Sequence, residues 1–412
     1  MHTTPELRAL ALWAWAAGLA LWAPAIAVPV LGLPLQPLDL VTIAGWPLLA
    51  VFARRLPPAL LPVLLTGAGS VAIGWAMSGG EPLILIWTLG FAFPFVLLAA
   101  IAAGEERALA ALLSAFLAGA FLSALLFFAQ ILLGAEALDF RNNPAFRLPP
   151  HYGRGFALFP EVSTYAAHAV IAIAAALVLA LHPATGRARR MRMTGLATLL
   201  LLALLFTRST SVVVLLPLVV TLALSRTTRA SLNMLVLVAL LAILMALLLV
   251  VFVQSFYAER LASEAAQRSA SMRLASIVGG LTPLFSGEPF GVGIGENREI
   301  RYRAFEVARS LGLSFGKLPE GVNAQIVGRI FEEGWPAVLH FGLAVLVLGR
   351  ALRAATAPAT TAVACLAAAS FAAAATTLGY RGLYTTWLWL GVPAGLLLRH
   401  GRARRLPARG FA

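Results

Sequence analysis

Residues 257–321 read YAERLASEAAQRSASMRLASIVGGLTPLFSGEPFGVGIGENREIRYRAFEVARSLGLSFGKLPEG, and this stretch decides how the rest of the chain is read. Its 65 residues carry seven arginines, one lysine, seven acids and the glycine run Gly291-Val292-Gly293-Ile294-Gly295. Charge at that density is too costly to place in hydrocarbon. The surrounding chain is the reverse. Of its 412 residues 60% are hydrophobic and 12% charged, which excludes a soluble globular domain. The polar stretch is therefore the water-side segment of a membrane protein.

A hydrocarbon core of about 30 Å takes about 20 apolar residues per helix, and the chain supplies such runs repeatedly. We read twelve spans, at 8–30, 35–52, 58–77, 82–103, 108–133, 158–181, 193–207, 211–225, 231–256, 322–349, 355–378 and 383–399. The expected fold is an all-α polytopic membrane protein. Residues 1–133 form helices 1–5, 134–157 a first outer loop, and 158–256 helices 6–9. Residues 257–321 form a large helical outer loop, 322–399 helices 10–12, and 400–412 a basic inner tail. The first apolar run is long enough to span and shows no small-residue cleavage site, so it is expected to remain. The single Cys365 lies in an apolar segment, where it supports neither a disulfide framework nor a thiolate metal site.

A net charge of +14 suggests nucleic acid until it is set against topology. With the N-terminus inside, Arg8, Arg54, Arg55, Arg107, Arg187–Arg192, Arg226, Arg229, Arg350, Arg353 and Arg399–Arg409 all fall inside. That side then holds 17 basic residues against three acids, and the other side holds 14 of each. The whole excess lies on one face, as the positive-inside rule requires, and the nucleic-acid reading falls. The short pair 193–207 and 211–225 reads as a hairpin around Arg208. Trp13, Trp15, Trp22, Trp46, Trp87, Trp387 and Trp389 stand near span ends, as interfacial anchors would. Pro24, Pro94 and Pro217 are expected to interrupt their spans.

Few residues could carry chemistry. Glu161, Tyr165 and His168 recur on one face of the sixth span. That face is either a solvated helix start with a packed histidine or a functional polar lining. Arg154 sits between glycines, free to point into a cavity or to anchor at headgroups. Arg208, among Thr207, Ser209 and Thr210, is costly unless it meets water or an anion. In the large loop, Arg273 precedes an apolar run. Arg298, Arg301, Phe305 and Arg309 share one side of an amphipathic helix, for which a plain surface role is the simplest reading of Arg303 and Arg309. The glycine run lacks the spacing of a dinucleotide fingerprint. Arg329 and Glu333 stand four apart, as an ion pair would. Glu320 and Asn323 mark the loop–helix junction, and His340 lies deeper, where packing accounts for it. No zinc spacing, phosphate loop or serine elbow is present. The five outer arginines Arg154, Arg208, Arg273, Arg298 and Arg301 suit a diphosphate, because guanidinium forks match phosphate oxygens. A lipid-linked diphosphate at an outward pocket points to glycosyl transfer from a polyprenyl carrier.

From about Arg154 to Leu348 the chain resembles the O-antigen polymerase/ligase superfamily of bacterial envelope proteins. The residues carrying the resemblance are Arg154-Gly155-Phe156 with Pro160-Glu161, then Thr207-Arg208-Ser209. Arg273 with Gly291-Val292-Gly293-Ile294-Gly295-Glu296-Asn297 follows, and Val322-Asn323 with Glu332-Glu333-Gly334 completes the order. Glu161 stands where the family has asparagine. The resemblance implies a GT-C-like glycosyltransferase in the bacterial inner membrane, both termini cytoplasmic and the site facing the periplasm. It implies metal-independent, inverting transfer from a polyprenyl-diphosphate oligosaccharide without a cofactor, and a chain-length regulator protein as a further partner. Ligases of the family carry histidine where this chain has Val322. That departure favours a polymerase over a ligase and makes Glu320 the candidate base, with Asn323 beside it. Arg154, Arg208, Arg273, Arg298 and Arg301 would hold the diphosphate, and Glu161, Tyr165, His168 and Glu333 would line the acceptor pocket. A lipid-linked oligosaccharide flippase is the rival from another class, although the deep spans are nearly free of charge.

Overall fold

The computed structural model describes residues 4–30, 33–78, 82–143, 155–207, 209, 211–227, 274–295, 297–312, 322, 324–378 and 384–405. Helices dominate them: α1 (Pro5–Ala20), α2 (Pro37–Phe52), α3 (Leu60–Ser78), α4 (Pro82–Trp87), α5 (Phe93–Gly104), α6 (Glu106–Leu133), α7 (Val162–Leu181), α8 (Arg187–Thr207) and α9 (Ser211–Thr227). After these come α10 (Leu274–Leu284), α11 (Asn297–Ser310), α12 (Gln325–Glu333), α13 (Trp335–Ala354), α14 (Pro358–Thr376) and α15 (Leu388–Arg405). Proline opens α1, α2 and α14, where its missing N–H leaves no partner wanting. A two-stranded antiparallel pair, Val28–Val30 with Leu33–Leu35, is the one β element among the described residues.

Eight helices among the described residues are long and apolar enough to cross a bilayer. The chain is thus an all-α polytopic membrane protein in outline. Its spans depart from the expected boundaries in two notable places. The first helix stops at Ala20 rather than near residue 30, because the chain turns through Trp22 and Pro24 into the strand pair. The tenth is broken at Gly334 (φ +67°) into α12 and α13. Residues 231–256, expected as the ninth, lie outside the described residues. Between α4 and α5 a π-turn over Thr88–Ala92 precedes Pro94, whose ring removes a donor from the ladder. The tryptophans also differ from expectation. Trp13, Trp22, Trp387 and Trp389 are buried, while Trp15 and Trp46 are exposed. Trp13 donates its indole N–H to the Val41 carbonyl at 2.9 Å, and Trp22 packs between Phe116 and Phe159.

Contacts between helix ends fix the relative directions. Arg55, just past α2, and Arg402, near the end of α15, both pair with Glu105 ahead of α6, and Arg399 pairs with Glu106. We call this the basic end. At the other end Tyr384, just ahead of α15, donates a short hydrogen bond to Asp39 at the start of α2. So α2 and α15 run parallel. Phe127 near the far end of α6 stacks on Tyr165 at the start of α7, and Phe128 meets Phe206 at the end of α8. Hence α7 runs against α6, and α8 runs with it from the basic end.

Hydrocarbon offers little drive for helices to associate, so close approach through small residues carries the packing. Gly391 and Gly395 of α15 press on α5 so tightly that a Cβ would sit 2.2 Å from the Val96 carbonyl oxygen and 2.1 Å from that of Ala100. Gly18 of α1 meets the Leu112 carbonyl of α6 in the same way, at 2.7 Å. Alanine-rich α7 is the central helix, 89% of its spanning window buried. Gly395→Leu is therefore expected to cost about 1–3 kcal/mol through overpacking and to lower the melting temperature in detergent. Gly401→Leu, where an added Cβ meets nothing within 4 Å, should leave it unchanged.

Candidate functional site

Two sequence-distant elements form one structural unit. The glycine run lies along the corner between α12 and α13. Val292 N–H donates to the Phe331 carbonyl at 3.0 Å, Gly293 N–H to that of Glu332 at 3.0 Å, and Trp335 N–H to that of Pro289 at 2.8 Å. Ile294 N–H reaches the Gly74 carbonyl of α3 at 3.0 Å, and Gly295 N–H reaches Glu332 Oε1 at 3.3 Å. Gly291, Gly293, Gly295 and Gly334 all have positive φ, between +67° and +99°. Side chains are also shut out by contact: a Cβ on Gly291 would lie 2.5 Å from the Glu332 carbonyl carbon, and one on Gly334 2.3 Å from the Pro289 oxygen. Gly291, Gly293 and Gly334 need glycine on both grounds, and Gly295 for its φ alone.

Beneath this unit lies a buried charge pair. Arg329 donates to Glu333 through Nε at 2.9 Å and Nη2 at 2.7 Å, and Ser70 of α3 donates a short hydrogen bond to the same carboxylate. The two side chains are 2% and 0% exposed, so solvent screens nothing. The guanidinium also faces the rings of Phe341 at 5.1 Å and Trp387 at 5.6 Å. Ser70 stands eight residues inside the end of α3, about 12 Å along its axis. Further in, His340 Nδ1 bonds the Val63 carbonyl at 2.8 Å, its ring filling the space left by Gly67.

The turn Tyr384–Trp387 joins this pair to the rest of the interior. Trp387 lies under Arg329 and Tyr384 donates to Asp39. Thr385 Oγ1 bonds His168 Nε2 at 2.6 Å, while Ser370 donates to the Thr385 carbonyl. His168 Nδ1 bonds the Thr164 carbonyl at 2.8 Å. At the far end of α6, Gln130 clamps the Gly155-Phe156-Ala157 element. It accepts from Phe156 N–H at 2.8 Å and Ala157 N–H at 2.7 Å, and donates to the Ala157 carbonyl at 3.1 Å. Arg141 forks onto Asp139 with two bonds of 2.8 Å and lies 3.9 Å over the Phe156 ring.

In the polar segment, α11 buries Ile300, Ala304 and Ala308 and presents Arg301, Tyr302, Phe305 and Arg309 outward. Arg303 instead grips Glu288 with bonds of 2.6 and 2.7 Å, tying α11 to the residue ahead of the glycine run. That hydrogen bonding holds the Glu288 carboxyl below its ordinary pKa, against a smaller opposing effect of burial. The clamp's contribution is present above the unfolded carboxylate pKa and fades as pH falls through the lower folded value.

The residues proposed from sequence divide clearly. Arg154, Arg208, Arg273, Glu320 and Asn323 lie outside the described residues, as does the Arg298 side chain, although that residue belongs to α11. Arg301 is exposed on α11 and Glu161 is partly exposed, accepting a short hydrogen bond from Ser163. Tyr165, His168 and Glu333, expected to line an acceptor pocket, are closed off from solvent. Each is held by its neighbours: Tyr165 stacks on Phe127 at 4.7 Å, His168 bonds Thr385, and Glu333 pairs with Arg329. Arg141, Gln130, Ser70 and the Asp39–Tyr384 contact do not stand out in the sequence. Only the buried polarity of Gln130 and Asp39 within apolar runs could have signalled two of them. Among the described residues no three His, Cys, Asp or Glu side chains converge as metal ligands would.

No protein-family model matches this chain, and no curated protein matches it. The chemistry of the site therefore has to speak for itself. Removing one partner of a buried ion pair strands the other, at about 3–5 kcal/mol. Glu333→Ala should destabilise the protein by that amount in thermal unfolding followed by tryptophan fluorescence. Arg329→Met combined with Glu333→Leu should recover most of the loss.

Proposed function

We propose that this chain is a GT-C-like membrane glycosyltransferase, a polymerase of bacterial surface polysaccharide. It would take glycan from a polyprenyl-diphosphate donor and pass it to an acceptor sugar hydroxyl with inversion. The observation that carries the reading is the union of the glycine run with Glu332-Glu333-Gly334. Two of the four elements shared with the O-antigen polymerase/ligase superfamily, some 40 residues apart in the chain, form one hydrogen-bonded unit. The other two elements also approach one another. Gly155, which follows Arg154, abuts Phe127, and Phe206, two residues before Arg208, abuts Phe128.

In this scheme the donor diphosphate rests on Arg154, Arg208 and Arg273, with Arg298 and Arg301 at the rim. Negative charge grows on the leaving diphosphate as the glycosidic bond breaks, so fixed guanidiniums stabilise the transition state more than the ground state. The acceptor hydroxyl attacks the anomeric carbon from the opposite face. Glu320 takes its proton, and Asn323 orients the hydroxyl. A carboxylate screened from water by the donor would have its pKa raised toward the working range. The scheme places the site at the periplasmic face of the inner membrane and routes no step through a metal.

The test is purified full-length protein in proteoliposomes with a lipid-linked oligosaccharide and no ion gradient. Lengthening of the glycan supports a polymerase, whereas movement across the bilayer without lengthening would make the chain a transporter. Arg154→Ala and Arg273→Ala should each lower kcat about 100-fold or more. Persistence of wild-type turnover in both variants would remove the diphosphate cradle. Glu320→Gln should cost about 100-fold or more if the carboxylate is the base, and unchanged turnover would end that assignment.

A further inference from the structure

A cleft of about 880 Å³ opens between α6 and α8, lined by Ser114, Phe121, Arg189, Arg192, Gly195 and Leu199 among others. The two helices meet ring to ring at Phe128 and Phe206, and the cleft lies toward their opposite ends. Because α6 starts at Glu106, which pairs with Arg399, and α8 runs beside it, the cleft opens at the basic end. From Arg189 to Leu199 it extends ten residues along α8, about 15 Å of helix. That is half of a roughly 30 Å hydrocarbon core, the depth of one leaflet.

Its walls are apolar and its mouth is cationic. Arg189 and Arg192, both exposed, stand three apart on the face that carries Leu199. Neither makes an ion pair among the described residues; Arg192 Nε reaches only the Ala188 carbonyl, at 3.4 Å. Arg187 and Arg190 share the same first turns of α8. Four cations crowd the positive end of a helix dipole, an arrangement that an anion relieves. Gly195 leaves the middle of the cleft open: an added Cβ there meets nothing within 4 Å.

We infer that this cleft binds one anionic phospholipid of the leaflet at the basic end. Arg189 and Arg192 hold its phosphate, and an acyl chain lies along Gly195 and Leu199 toward Phe121. The site stands at the opposite end of α6 from Gly155 and Phe206, so it is separate from the proposed catalytic region. It does not depend on the proposed transferase activity.

Native mass spectrometry of the full chain in detergent tests this, with phosphatidylglycerol titrated against phosphatidylcholine of identical acyl chains. The wild-type protein should hold one phosphatidylglycerol at about tenfold lower lipid concentration than phosphatidylcholine. Arg189→Ala with Arg192→Ala should erase that preference. Arg350→Ala with Arg353→Ala, equal in charge removed, should keep it. Gly195→Trp retains every charge but fills the cleft, and should lose the adduct while melting at the wild-type temperature. Equal affinity for the two lipids would overturn the proposal. So would a phosphatidylglycerol adduct that survives Gly195→Trp, which would mark surface attraction or a cleft filled by another part of the chain.

Discussion

The buried pair of Arg329 and Glu333 constrains everything around it. Desolvating a guanidinium and a carboxylate costs several kcal/mol for each ion, returned only where geometry and supporting hydrogen bonds are good. Here the fork onto the carboxylate, the Ser70 hydroxyl and two aromatic faces supply that support. Such a pair requires α12 to end where Glu333 meets the middle of α3. The chain must then turn abruptly to begin α13, and Gly334 at φ +67° makes the turn. Its tightness brings Pro289 and Gly291 against Gly334, so position 291 must be glycine too. Gly291 thus follows from the turn that the salt bridge requires, while Gly293 is fixed by its approach to Ser78 of α3.

From that pair the constraint passes to the Tyr384–Trp387 turn. Four residues engage three different parts of the interior: Arg329 above Trp387, His168 on Thr385, and Asp39 on Tyr384. The Tyr384 hydroxyl and the Thr385 hydroxyl and carbonyl are each met by a residue from elsewhere in the sequence, as an apolar interior favours. Shifting α15 along its axis would break all three contacts together. It would also lift Gly391 and Gly395 from the α5 carbonyls they touch. Polar contacts set the register, and small residues hold it by close packing.

Much of the outline was legible in the sequence, because length and apolarity decide which helices can cross a bilayer. The four-residue spacing of Arg329 and Glu333 likewise announced a pair. What composition could not show was where apolar runs stop being helix. Residues 21–30 are as apolar as α1, yet Pro24 and Pro29 turn them into loop and strand. The apolar run after Glu333 reads as one span with what precedes it, and only the φ of Gly334 divides them. Tryptophan near a span end suggested the interface, but Trp22 and Trp387 are drawn inward by the rings and charges they pack against. For the candidate site, the sequence pointed to the Gly291–Gly295 run and the Glu332-Glu333-Gly334 corner without revealing that they touch. Hydrogen bonding between distant backbone segments leaves no periodic trace.

The distribution of paired and unpaired arginines bears on where an anionic substrate could bind. Away from the basic end, Arg141, Arg303 and Arg329 are each committed to a carboxylate: Asp139, Glu288 and Glu333. A diphosphate could recruit them only by displacing those partners, and for Arg329 that would leave the buried Glu333 without its cation. Arg301 is different, exposed on α11 with no ion pair among the described residues. Under the proposed function, a cradle for the diphosphate would draw on arginines outside the three committed pairs. The proposed set, Arg154, Arg208, Arg273, Arg298 and Arg301, includes none of the three. The committed arginines are structural: each ties its carboxylate partner and the rings or backbone it contacts into one place.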